Sequence, residues 1–216
     1  MIRSLFEAIA NNPPDFVDAR HGGEFEDRID AFLRHDLNYS RLRNTDIADW
    51  ARLKSAVLMK SSAAPVPNDH AVADSYILQP NGKQNYPDFM VFEAGEVVCI
   101  EVKFGKPPRP VWNSGLPRPN GFYILGRRGK GDATFFRGAD VVSAEESEQM
   151  HAFFDRMRSE EQAFNDSRMS GQRRGFEVYV RKAFMQSKKY NKHADIDFYN
   201  SPDRRRLEQN VLDYFG

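Results

Sequence analysis

A single cysteine, Cys99, is all the chain of 216 residues contains, so an intramolecular disulfide framework is impossible. No apolar run approaches the ~18 residues that a membrane-spanning helix needs. The N-terminal stretch MIRSLFEAIANNPP is interrupted by Glu7, and its apolar part is too short for a secretory signal. The histidines, at 21, 35, 70, 151 and 193, lack metal-ligand spacing. There is no G-x-x-x-x-G-K-[ST] loop and no dinucleotide fingerprint, so no nucleotide cofactor is expected. A charge excess is missing too: 31 basic residues balance 31 acidic ones. Taken alone, that balance argues against a nucleic-acid binder. These absences leave the expectation of a soluble, cytoplasmic protein in a reducing compartment, without membrane contact.

What is present points to a packed domain. Hydrophobic residues make up 40% and aromatic residues 12%, with 17 Phe, which excludes a disordered chain. A chain of this length buries about 70% of its unfolded surface and needs no covalent staples. One domain over 1–216 is the expectation. The charges are segregated along the chain. Residues 102–137 hold eight Lys or Arg and one acid, and residues 171–192 hold seven and one. The acids concentrate in 1–36 and 138–166. Folded together, such blocks give either a basic face with an acidic back or an interspersed surface.

Periodicity predicts a short helix over 2–10, ended by Asn11 to Pro14. A second helix is predicted over 24–37, where Phe25, Ile29, Phe32 and Leu33 form one stripe. A third runs from Thr45, as N-cap, to about Lys60. Residues 61–73 read as a loop. Strands are predicted at 75–79, 88–93, 96–104, 121–126 and 176–182, and helices at 143–165 and 202–214. The long loop 105–120 carries five prolines. The helical N-terminal part thus covers about 1–60 and the sheet about 74–182. The fold class expected is α/β (α+β mixed), a central mixed sheet flanked by helices.

The informative stretch is NYPDFMVFEAGEVVCIEVKFGK, residues 85–106. Read as a hairpin around Ala94-Gly95, its paired positions place Asp88 opposite Glu101. Strand alternation then puts Asp88, Met90, Phe92, Val97, Cys99, Glu101 and Lys103 on one face. Phe89, Val91, Val98, Ile100, Val102 and Phe104 take the other. Both faces are largely apolar, as in central strands covered on both sides. Two carboxylates and a lysine therefore meet at one end of a buried hairpin. Directly opposed like charges destabilise a sheet, and a cation between them reverses the sign. All-oxygen ligands suit Mg²⁺. Lys103 can orient or deprotonate a water. A one-residue slip of register would separate Asp88 from Glu101. The bland alternative is an exposed hairpin end with ordinary charges.

Pro87-Asp88, then Glu101-Val102-Lys103, resembles the PD-(D/E)XK nuclease motif. The resemblance is strong over about twenty residues and looser over the helix-first order around them. It implies a restriction-endonuclease-like core and hydrolysis of a phosphodiester to a 5′-phosphate and a 3′-hydroxyl. It implies Mg²⁺ held by Asp88, Glu101 and the Val102 carbonyl, with Lys103 completing the catalytic set. An acid on a preceding helix often joins such a site. Glu26, beside the Phe25/Ile29 stripe, is the choice here, and Glu24 at the helix start is the alternative. Without helicase, ATPase or methyltransferase motifs, the reading is a type II restriction endonuclease acting on double-stranded DNA. A repair or junction-resolving nuclease and a non-catalytic DNA-binding module are the alternatives. One motif per chain implies a homodimer for double-strand cleavage.

DNA contacts are expected from the loops. Trp112, Asn113 and Ser114 face a base edge or phosphate, or else Trp112 fills the core. Arg127, Arg128, Lys130 and Arg137 form one basic group, and Arg173 and Arg174 a second. Cys99 is expected to be a buried small hydrophobe.

Overall fold

The computed structural model describes residues 1–59, 62–70, 72–110, 112, 115–168, 177–180, 184 and 197–216. Within them a central mixed sheet of seven strands carries helices on both faces, an α/β fold. Helices α1 (Arg3–Asn11), α2 (Pro13–Val17) and α3 (Gly22–His35) come first. Strand β1 (Ser40–Arg41), helix α4 (Trp50–Met59) and strand β2 (Val66–Pro67) follow. Then come β3 (Ser75–Leu78), β4 (Phe89–Phe92), β5 (Glu96–Gly105), β6 (Gly121–Arg127) and β7 (Asp132–Arg137). Helices α5 (Ala144–Arg168) and α6 (Arg204–Tyr214) end the chain.

The sheet order is β1-β3-β4-β5-β6-β7, with β2 pairing the start of β5. The β3–β4, β4–β5 and β6–β7 pairs are antiparallel, whereas β5 and β6 run parallel. Parallel neighbours need a long crossover. The proline-rich segment 106–120 supplies it.

Alternation along β4 and β5 divides the core as the sequence predicts. Phe89, Val91, Val98 and Ile100 join Phe25, Ile29 and Leu33 of α3 in one layer. Met90, Phe92, Val97 and Cys99 join Leu53 and Val57 of α4 in the other. Burying each large apolar side chain contributes about 1.5–3 kcal/mol. Cys99 is 1% exposed, as expected.

Several elements differ from expectation. The first helix stops at Asn11 as expected, but Pro13 then opens a further helix, α2, where a first-turn proline loses no hydrogen bond. Thr45 is not an N-cap. Residues Asn44–Asp46 form a 3₁₀ turn, and the Asp49 carboxylate accepts from Arg52 N to start α4. Strand β7 was hidden in a basic stretch. Gly129 and Gly131, at φ 71° and 62°, make the turn that returns the chain along β6. The strand predicted at 176–182 is corrected: residues 177–180 have no regular structure, and Tyr179 is 78% exposed. The remainder of that segment lies outside the described residues. The sheet therefore spans 40–137 rather than 74–182 among the described residues. Its outer strand β7 is met by α6, whose Arg204 donates to the Ala133 carbonyl at 2.7 Å.

Candidate active site

The β4–β5 register pairs Phe89 with Ile100 and Phe92 with Val97, closing a two-residue turn at Ala94-Gly95. Glu93 N donates to Glu96 O at 3.0 Å across it. Asp88 immediately precedes β4, so the same register sets it across from Glu101. Asp88 Oδ2 accepts the Val102 N–H at 2.7 Å, which fixes the carboxylate against the partner strand. Two residues along β5, Lys103 returns to the same face. Its Nζ donates to Glu101 Oε1 at 2.6 Å. The lysine side chain is 20% exposed and that of Glu101 8%. Glu101 Oε2 is buried without a hydrogen-bond partner.

A glycine lets α3 reach this end of the sheet. A Cβ on Gly126 would stand 2.7 Å from Phe104 and 2.8 Å from Phe25. Without it, Phe25 and Phe104 pack over β6 with ring centroids 5.1 Å apart. That contact seats the first turns of α3. His21 caps the helix by accepting from Glu24 N. Glu24 is taken by Arg20, whose backbone N–H and Nε both donate to it at 2.7 Å, and this holds the carboxyl down to about 2. Glu26, one half-turn on, accepts from Gln79 Nε2 at 2.7 Å. Of the two acids weighed for this place, Glu26 is the one the fold turns toward the cluster.

Gln79 connects the two parts. It follows β3 in a left-handed conformation, φ 49°, and its N–H donates to the Asp88 carbonyl at 2.6 Å. Its backbone thus holds Asp88 while its side chain holds Glu26. The sequence reading missed Gln79. The available signal was the Pro80-Asn81-Gly82 turn directly after it, which marks a strand end just before the motif.

Three carboxylates therefore share one ammonium. Burial pushes the Asp88 carboxyl up, the negative charge of Glu101 adds to this, and the Val102 N–H opposes it, giving about 7. Burial also raises Glu26, partly offset by the Gln79 hydrogen bond. The Glu101 charge raises it further and the Lys103 charge lowers it. Such perturbation in a cleft is a mark of functional groups, although structural ion pairs also produce it.

The expected DNA-contacting residues fare differently. Arg127 ends β6, and Arg128 and Lys130 sit on the exposed β6–β7 turn, at the Lys103 end of the sheet. Trp112 is corrected to a core residue. It is 3% exposed and packs edge-on against Tyr123 at 5.5 Å, because its large ring covers the second apolar layer. Arg137 is corrected as well. It pairs with Phe122 at the far end of β6, covers the Tyr214 ring at 4.5 Å and donates to Ala63 O. Asn113, Ser114, Arg173 and Arg174 lie outside the described residues.

Comparison with protein-family models, with curated proteins and with solved structures gives no match for this chain. No helix among the described residues is long and apolar enough to cross a membrane.

Proposed function

We propose that the chain is a Mg²⁺-dependent endonuclease of double-stranded DNA, resembling PD-(D/E)XK enzymes and acting as a type II restriction endonuclease. The observation that carries this reading is the clustering of Asp88, Glu101 and Lys103 at one buried sheet end, with Glu101 Oε2 left without a partner. A carboxylate oxygen buried in that way is costly unless a cation or proton reaches it.

The donors fit Mg²⁺. Among the described residues no group of three or more His, Cys, Asp or Glu stands ready to hold a metal. Mg²⁺ does not require one, since it binds through one or two carboxylates and completes its shell with waters and substrate phosphates. Asp88, Glu101 and the Val102 carbonyl would hold it. Bound there, it supplies Lewis-acid polarisation of a phosphoryl oxygen and a more acidic water.

The chain's own groups do the rest. Asp88 must give up its proton to act as a ligand, against burial and the charge of Glu101. Lys103 is tethered to Glu101 but reaches solvent. From there Nζ donates to an attacking water or to the phosphoryl oxygens as their charge grows. Glu26 adds negative charge beside the pair, with Gln79 keeping its carboxylate in place.

The test is incubation of purified protein with plasmid and long genomic DNA at millimolar Mg²⁺. Discrete fragments support a restriction enzyme. A smear points instead to a nonspecific nuclease, and unchanged DNA overturns the catalytic reading.

A further inference from the structure

Beyond Lys103, the same face of β5 and β6 continues for one more row. Lys103 pairs with Leu125, and Gly105 with Arg127. A cleft opens over this row, lined by Lys103, Gly105, Pro107, Arg109, Leu125 and Tyr199. Two of these residues are cations, and among the described residues that line it none is a carboxylate. Arg127 adjoins two of its lining residues: it pairs with Gly105, and its guanidinium lies 5.3 Å from the centre of the Tyr199 ring.

The register gives Arg127 an acid that it does not use. Its cross-strand partner on β7 is Asp132. Both Asp132 oxygens are held by Arg204 instead, at 3.0 and 3.2 Å. Arg204 also donates to the Tyr199 carbonyl at 3.0 Å, which fixes the ring beneath Arg127. Asp197 contributes a negative field at Arg127. The Arg127 Nε is buried with no hydrogen-bond partner. A cation that is stacked, immobilised and deprived of its cross-strand acid is preorganised for an anion from outside.

We infer that Arg127, with Arg109 of the adjoining cleft, forms a subsite for a second phosphate of the same nucleic-acid strand, adjacent to the phosphate that Lys103 addresses. Two residues along a strand advance about 6.6 Å. Lys103 and the Gly105–Arg127 row are therefore separated by a short backbone step, not by the width of a duplex. The planar guanidinium fork suits phosphate oxygens in a way a lysine does not. The inference rests on the nuclease reading of the neighbouring cluster.

Binding in EDTA tests it without chemistry. A fluorescein-labelled random-sequence duplex is titrated with the full chain at several salt concentrations, followed by anisotropy. The duplex experiment uses wild type, Arg127→Ala, Arg127→Lys and, as a remote control on α4, Lys54→Ala. Arg127→Ala is expected to weaken binding about tenfold and to flatten the salt slope by about one unit. Arg127→Lys restores the slope but only part of the affinity. A second arm compares the dinucleotide pdTpdT with thymidine 5′-monophosphate, using wild type and Arg127→Ala. Wild type is expected to favour the dinucleotide, and Arg127→Ala to bind both alike. Thermal melting confirms that each variant is folded. If Arg127→Ala binds the duplex like wild type, the subsite is overturned and the nuclease reading stands. If wild type binds neither duplex nor nucleotide, both fall.

Discussion

Asp30 and Asp88 are both buried carboxylates at the margins of one sheet, 4% and 9% exposed, and the fold treats them in opposite ways. Asp30, on α3, has a partner for each oxygen. Tyr76 donates to Oδ1 at 2.5 Å, and Arg34 approaches Oδ2 to 2.6 Å. Arg41 adds a second cation at 3.6 Å. Asp88 has one backbone N–H and a second carboxylate across from it, and the ammonium nearby is bonded to Glu101. The first cluster is closed: its one carboxylate is met by a hydroxyl and two guanidiniums, and it locks α3 to β3. The second is left short of positive charge, and its Lys103 lines a cleft. Burial alone therefore does not mark a functional acid. The mark is a deficit of partners where a ligand can enter.

The largest expected effect comes from the open cluster. Replacing Asp88, Glu101 or Lys103 by Ala should lower the cleavage rate by at least about 10²–10³-fold. DNA binding should stay within about tenfold, because these groups act chiefly in the transition state. Single-turnover cleavage and anisotropy separate the two effects. An alanine variant that cuts at the wild-type rate removes that residue from the site.

Gly126 serves the open cluster indirectly. Gly126→Ala forces Phe25 or Phe104 to move and should cost about 1–3 kcal/mol in urea unfolding. Because Phe25 seats the helix that carries Glu26, cleavage should fall as well. Full activity in this variant would mean that α3 does not position the site.

Asp30→Ala should destabilise the protein by about 1–3 kcal/mol. The fully buried Tyr76 hydroxyl loses its acceptor, whereas Arg34 and Arg41, each nearly half exposed, regain water. Asp88→Asn should be neutral or stabilising in the metal-free protein, since it relieves repulsion with Glu101. Equal losses in both variants would erase the contrast between the clusters.

A pH dependence is expected as well. Folded Asp88 keeps its proton up to about 7, whereas the unfolded chain releases it near 3.8. Between these values the folded state binds more protons, so metal-free stability should fall as pH rises from about 4 to about 7. Glu26 shifts in the same direction, so Asp88→Asn should reduce the slope without abolishing it. A wild-type stability that rises across this window contradicts the stated environment of Asp88.

The hairpin was legible because its signals agreed. Apolar alternation on two faces fits a hairpin, and the two-residue turn assumed for it sets the acids opposite each other, in the register that β4 and β5 adopt. The α/β class and the stripe of α3 were legible for the same reason. Trp112 keeps two readings in sequence, because a tryptophan in a proline-rich loop suits a surface anchor or a core plug, and only the packed Tyr123 shows the gap it fills. Arg137 was grouped with Arg127 by composition, although β7 carries it to the opposite end of the sheet. The role of Gly126 could not be read at all. It depends on Phe25, about a hundred residues away, and no local pattern encodes that contact. The capture of Asp132 by Arg204 is long-range in the same sense.

The central claim is that Asp88 and Glu101 together await a cation. Calorimetric titration of the DNA-free protein with Mg²⁺ at pH 8, above the raised Asp88 range, tests it most directly. Wild type should bind Mg²⁺ in the millimolar range or tighter, and the Asp88→Asn, Glu101→Gln double variant should give no binding heat. Identical heats from wild type and the double variant would place the metal elsewhere and contradict the account.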